Sequence, residues 1–141
     1  MMKCIFGLRC RVLSSLVCSL LLLGGCATTA PKESDVERRA TERWQALLSD
    51  DIEGAYDFLS PGYRSSVSRV QYTRTILLKQ VGWTSADFIE SDCAETACKV
   101  KISLGYIVYG GVPGVTSFEG KQEIEESWVL ADGTWYFVPR Q

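Results

Sequence analysis

The chain has 141 residues, enough for one domain with a single hydrophobic core. Its 15 Lys and Arg and 17 Asp and Glu give a formal net charge of −2, and an acidic chain lacks the basic stripe that nucleic-acid binding requires. It contains no histidine, which excludes Ser-His-Asp and Cys-His nucleophilic chemistry. We therefore expect neither nucleic-acid binding nor a histidine-dependent reaction.

The N-terminal segment has the pattern of a secretory signal peptide. Lys3, Arg9 and Arg11 provide a basic start, and a mostly apolar segment follows over residues 12–23. That segment is too short to cross a bilayer, which takes roughly 20 apolar residues. We predict that residues 1–25 are removed. Three of the fifteen basic residues and none of the seventeen acidic ones lie there, so the remaining chain carries a net charge of −5.

The Leu-Gly-Gly-Cys segment that ends at Cys26 resembles the lipobox of bacterial lipoproteins, although Ala, Ser or Thr is more usual at the position of Gly24. The resemblance implies an acylated Cys26 followed by a tether over residues 26–33, since several acyl chains make a durable anchor. Ala27 replaces the Asp associated with inner-membrane retention, so we expect the periplasmic face of the outer membrane. Two alternatives to lipidation remain. The segment could be an ordinary cleaved signal peptide in which Cys26 has no role, or the N-terminus could stay unprocessed with Cys26 buried in the core.

Cys93 and Cys98 are the cysteines that remain after the signal peptide and the lipid site. In an oxidising periplasm such a pair predicts a disulfide, and the spacing suits two strands joined by a tight turn. A redox-active pair is less favoured because the spacing is not C-x-x-C. A metal site is weaker still with two sulfurs and no histidine. We expect no metal and no cofactor.

The first half of the predicted domain, residues 34–141, has helical periodicity, and we predict three helices there. Capping boxes open the first and third at Ser34 and Ser68, and the Asp-Asp-Ile-Glu segment at 50–53 opens the second. Ser-Pro-Gly at 60–62 is expected to end the second helix. The predicted apolar stripes are Val36, Ala40, Trp44, Leu47 and Leu48 in the first helix, Ile52, Ala55, Tyr56 and Leu59 in the second, and Val70, Thr73, Leu77 and Val81, before Gly82, in the third.

The second half changes to a period of two, which predicts strands over residues 83–92, 100–108, 118–130 and 135–138. Asp132-Gly133 predicts a type I′ hairpin turn. The order of elements predicts an α+β fold of three N-terminal helices packed on one face of a curved, four-stranded antiparallel sheet.

The segments "RWQALLSDDIEGAYDFLSPGYR" and "SWVLADGTWYFV" resemble the opening helix pair and closing hairpin of the nuclear transport factor 2-like superfamily. The resemblance covers roughly residues 34–140 and implies a cone-shaped α+β roll. The superfamily mixes isomerases, dehydratases, ligand binders and interaction modules, so the resemblance implies a fold and not an activity. No residue matches a catalytic position of its steroid-isomerase-like members, so none is carried over.

Three residues are candidates for lining a pocket. Strict alternation along the third strand places Gln122, Glu126 and Trp128 on the same face as its apolar residues. A carboxylate among apolar side chains could line a cavity. The interpretation that we favour is plainer, namely a bulge that shifts the register or a solvated sheet edge at Glu126.

These observations predict a lipid-anchored, non-catalytic periplasmic domain that binds a protein partner of the cell envelope or supports its assembly. The alternatives are a small-molecule binder that uses the interior of the cone and, less favoured, an enzyme of the isomerase or dehydratase type. The expected partners are the membrane, through the anchor, an envelope protein and a second copy of the chain.

Overall fold

The structure is a computed structural model that describes residues 33–79, 81–112 and 114–140. Four helices precede four strands, and neighbouring strands pair antiparallel in the order β1-β2-β3-β4. The elements are α1 (Glu33–Leu48), α2 (Ile52–Tyr56), α3 (Pro61–Ser66), α4 (Arg69–Leu77), β1 (Val81–Cys93), β2 (Ala97–Val112), β3 (Val115–Ala131) and β4 (Thr134–Val138). Within these ranges no helix is long and apolar enough to cross a membrane.

The prediction of three helices is wrong, because a further helix, α3, forms between the second and third predicted helices. Ser60 caps α3 by accepting a hydrogen bond from the backbone N–H of Tyr63 (3.3 Å), and Pro61 occupies the first helical position. Proline suits that position because its missing N–H has no partner there in any helix. Helix α2 already ends at Tyr56, so Ser60-Pro61-Gly62 starts α3 and does not end α2 as expected.

The predicted caps have mixed outcomes. Ser68 and Gln71 form the expected capping box of α4, with the Ser68 N–H donating to Gln71 Oε1 (2.8 Å). Asp51 caps α2 by accepting from the Gly54 N–H (2.8 Å). Helix α1 begins one residue before Ser34, which therefore lies inside the helix instead of capping it.

The main core lies between α1 and the sheet face that it covers, which we call the inner face. Helix α1 packs on β1, β2 and β4. The buried residues of this core are Val36, Ala40, Trp44 and Leu47 of α1, Ala55 of α2, Cys98, Val100, Ile102 and Leu104 of β2, Trp128 of β3 and Trp135 of β4. The predicted stripe of α1 is thus confirmed except at Leu48, which is 37% exposed.

The shorter helices form a second small core around Tyr56, Leu59 and Tyr72. The predicted stripe of α4 is wrong, since Val70 and Leu77 are 77% and 69% exposed. The reason is that α4 packs against α2 and not on the sheet, so it buries Tyr72 alone. Three helices therefore do not line one sheet face, and the expected cone is not formed.

The two long hairpins differ in regularity. The β1–β2 pairing shifts register between Trp83 and Ser85 and again between Phe88 and Glu90, whereas β2 and β3 pair without a shift from Ala97–Val129 to Tyr109–Ser117. At the first shift, a Cβ on Gly105 would lie 2.5 Å from Ser85 Oγ, so only glycine fits. The turn between β3 and β4 has positive φ at Asp132 (50°) and Gly133 (74°), as predicted for type I′.

Candidate functional site

A buried carboxylate, Glu126 of β3, joins the sheet to α1. It is 4% exposed. Its Oε1 accepts hydrogen bonds from Arg43 Nη1 (2.8 Å) and Trp44 Nε1 (3.0 Å), and its Oε2 accepts one from Trp128 Nε1 (3.1 Å). The interpretation that placed Glu126 at a bulge or a solvated edge is wrong, because the register is unshifted and α1 covers this position.

The partner cation is equally buried. Arg43 is 5% exposed, and its guanidinium carbon lies 3.9 Å from the centre of the Phe137 ring. Arg43 Nε has no hydrogen-bond partner among the described residues. The arrangement holds α1 in one orientation on the sheet, because two of the three hydrogen bonds that the buried Glu126 carboxylate accepts come from α1 side chains.

The three predicted pocket residues do not line one cavity. Trp128 is fully buried beneath α1, whereas Gln122 is exposed. Gln122 and Glu126 share a face but are four residues apart on one strand, which separates them by roughly 13 Å. Glu126 thus belongs to the core, and Gln122 belongs to the surface.

Sequence analysis missed Arg43, although a signal was present. Arg43 stands three residues after Ala40 and four before Leu47, on the apolar stripe of α1. An arginine on a buried stripe needs a buried acceptor nearby. Glu126, flagged independently on the third strand, was the candidate acceptor.

An exposed apolar surface covers the part of the inner face that α1 does not reach. We define the inner-face patch as Val81, Tyr106, Val108 and Phe118. Val81 pairs with Val108 and Val108 with Phe118 in one row, and Tyr106 lies in the next. Phe118 is 60% exposed and Val81 37% exposed. Exposed Leu77 and Leu78 precede Val81 in the chain.

Two aromatic rings dominate the inner-face patch. The ring centres of Tyr106 and Phe118 are 6.4 Å apart, with the planes inclined by 52°. A Cβ on Gly120 would lie 2.7 Å from Tyr106 Cζ, so glycine is what lets the Tyr106 ring lie over β3. The patch is therefore a shaped aromatic surface and not a scatter of single side chains.

A lysine two residues before β1 borders this region. Lys79 Nζ lies 5.4 Å from the centre of the Trp83 ring, which in turn meets Trp44 edge to face at 5.5 Å. Burial lowers the pKa of Lys79, and the positive charge of Arg43 lowers it further.

The predicted disulfide residues lie at the end of the sheet away from the patch. Cys93 and Cys98 are directly opposite each other on β1 and β2, with their Cα atoms 4.1 Å apart, and a disulfide joins them. They close the tight turn between the two strands.

The opposite, outer face of the sheet carries a shallow groove of about 290 Å³. Its lining residues are Glu90, Ser91, Asp92, Lys99, Lys101 and Glu125. Lys99 pairs with Glu125 (3.1 Å), and Lys101 pairs with Glu90, whose hydrogen bond raises the pKa of Lys101. The groove thus presents three acidic residues and two lysines, and both lysines already have acidic partners.

The expectations about metals and about the lipid anchor have different outcomes. No group of three or more His, Cys, Asp or Glu side chains suited to a metal occurs in the part of the chain that the structure describes. Cys26 lies outside the described residues.

The fold is similar to that of a SEC-C motif-containing protein from Rhodopseudomonas palustris, with a TM-score of 0.59 and 15% sequence identity over 77% of this chain and 78% of that chain. A structure from Catenulispora acidiphila matches with a TM-score of 0.49 and 14% identity over 74% of this chain and 84% of that chain. No family model and no curated protein matches. The first likeness shows the fold alone. Together with the fourth helix, it overturns the expected nuclear transport factor 2-like cone.

Proposed function

We propose that the chain is a lipid-anchored, non-catalytic domain on the periplasmic face of the outer membrane, and that it binds another envelope protein through the inner-face patch. The observation that carries this proposal is the exposure of Phe118, 60% of which faces solvent beside the Tyr106 ring. Contiguous apolar surface that a fold leaves uncovered marks an interaction site. Aromatic side chains are the usual energetic centres of such sites.

The anchor limits which partners the patch can reach. Six residues lie between Cys26 and Glu33, where α1 begins, and the seven Cα–Cα steps of a fully extended chain span at most ~25 Å. A domain held so near the bilayer meets proteins that are themselves attached to the membrane. The partner is therefore a membrane-associated envelope protein that presents an apolar segment to the patch.

Native mass spectrometry of the full chain, gently extracted from its own membranes, tests the interaction. We expect a stoichiometric protein adduct that Phe118→Ser abolishes and Tyr109→Ser retains. Tyr109 is the matched control because it is an aromatic residue that is 63% exposed on the outer face. Retention of the adduct in Phe118→Ser would contradict the proposal. A small-mass adduct lost on unfolding would indicate ligand binding instead.

The anchor has its own test. Cells that express the chain are labelled with radioactive palmitate, and the wild type is compared with Cys26→Ala. We expect label on the wild type alone. Equal labelling of the two would show that Cys26 is not the acylated residue.

A further inference from the structure

One edge of the sheet is long, regular and uncovered. Strand β4 pairs only with Ser127–Ala131 of β3, and Arg140 Nη2 donates to the backbone carbonyl of Glu125 (3.1 Å) just beyond β4. Residues 115–124 of β3 have no strand on that side within the described part of the chain. A row of unpaired backbone N–H and C=O groups is a template for pairing with another strand.

The other two edges of the sheet are protected. The outer edge of β4 is closed by the chain after α2, where the Ser60 N–H donates to Phe137 O and the Phe137 N–H donates to Phe58 O (2.8 Å each). The outer edge of β1 is interrupted by its two register shifts, and bulges of this kind discourage edge pairing. The free part of β3 has neither a covering segment nor a register shift to protect it.

The length of the free edge limits how two copies could pair. Residues 115–124 have their midpoint next to Gly120, so an antiparallel pairing centred on Gly120 aligns residues 116–124 of one copy with 124–116 of the other. A pairing centred much later would bring β4 of one copy against β3 of the other, and one centred much earlier would shorten the paired segment. This pairing joins the two sheets and keeps both inner faces on the same side.

The charges on the edge select the same register. The outer-face side chains here include Glu119, Lys121 and Glu123. Centred on Gly120, the pairing sets Glu119 opposite Lys121 of the second copy, twice by symmetry, and sets Glu123 opposite Ser117. Centres at 119, 121 and 123 each place a charge opposite itself, and a centre at 122 offsets its two Lys121–Glu123 contacts with two repulsive contacts between Glu119 and Glu125. Like charges directly opposite destabilise a strand pair, whereas opposite charges stabilise it.

We propose that two copies of this chain associate through the free edge of β3, antiparallel and centred on Gly120, to form one continuous sheet with two-fold symmetry. The pairing brings the two inner-face patches onto one surface, with each Phe118 opposite Gln122 of the other copy. The proposal does not depend on an envelope partner, because the strand edge and the sheet face are different surfaces.

A charge exchange tests the register. The full chain is purified in detergent, and its dimer dissociation constant is measured by native mass spectrometry over a range of protein concentrations. Glu119→Lys and Lys121→Glu each turn two attractive contacts into two repulsive ones, so we expect each to weaken the dimer at least about tenfold. The double variant exchanges the charges and should return to within about threefold of the wild type. Glu123→Lys, which faces serine, is the matched control and should not weaken the dimer.

Cross-linking provides a second measurement that does not rely on charge. A mixture of Ser117→Cys and Glu123→Cys chains should form an intermolecular disulfide, because these positions are directly opposite each other in the proposed pairing. Either variant alone should not, since its two cysteines would lie about six residues apart along the strands, roughly 20 Å. A wild type that stays monomeric at tens of micromolar overturns the proposal, as does a mixture that forms no cross-link. A heteromeric adduct is distinguished from the dimer by its mass.

Discussion

Neutralising Glu126 should be among the most destabilising single changes in this domain. In Glu126→Gln the amide keeps one acceptor oxygen for Arg43 and Trp44, but its NH₂ group then meets the Trp128 N–H, donor against donor, across the present 3.1 Å contact. Arg43, 5% exposed, then loses its counter-charge while it stays buried. Removing one partner of a buried ion pair costs about 3–5 kcal/mol. That is a large part of the ~5–15 kcal/mol by which domains are usually stable.

The assay is urea unfolding followed by tryptophan fluorescence, since Trp44 and Trp128 both touch the carboxylate. Glu125→Gln is the matched control. Its side chain is 48% exposed in a surface pair with Lys99, so its loss should cost no more than about 1 kcal/mol. Combining Glu126→Gln with Arg43→Met should destabilise the domain by less than the sum of the two single changes. The reason is that the double variant leaves no unpaired charge buried beneath α1. If the unfolding free energy of Glu126→Gln lies within about 1 kcal/mol of that of the control, the buried-pair argument is refuted.

Three further predictions concern other parts of the fold. Gly105→Ala should lower the free energy of unfolding by about 1–3 kcal/mol, because its Cβ would press on Ser85 Oγ at 2.5 Å; a neutral result in urea unfolding would show that the bulge yields. Replacing Cys93 and Cys98 by serine should cost at most ~2 kcal/mol, since the closed loop is short, and a larger fall in the unfolding free energy would contradict this view of the turn. The lowered pKa of Lys79 means that the folded state holds this proton less tightly than the unfolded chain. The unfolding free energy of the wild type, measured relative to that of Lys79→Gln, should therefore rise as pH increases toward the unfolded pKa of ~10.4. Urea unfolding at pH 8 and pH 10.5 checks this, and a fall in that difference between the two pH values would contradict it.

Local chemistry accounts for the parts of the fold that were predicted well. The capping box at Ser68 and the Asp132-Gly133 turn involve residues that are neighbours in the chain, so no distant contact is needed to form them. The alternation along β2 is equally local, because period two in apolar residues suits a half-buried strand wherever it lies.

Elements that depend on docking were predicted badly. Val70 and Leu77 look like core residues of an amphipathic helix, yet α4 packs on α2 and exposes both. Ser60 looks like a terminator, but its hydroxyl caps a further helix, while its N–H pairs with Phe137 at the far end of the chain. Propensity alone does not show which of several acceptable partners a segment finds.

The sequence by itself determined that helices precede the strands, that Asp132-Gly133 forms a hairpin turn and that Cys93 lies close to Cys98, because these follow from side chains a few residues apart. Tertiary structure decided which side chains leave water. Arg43 and Glu126 are 83 residues apart, and only the packing of α1 across the unshifted β2–β3 hairpin brings them together. The same packing leaves Phe118 exposed, because a 16-residue helix of roughly 24 Å cannot cover all of a sheet whose strands reach 17 residues.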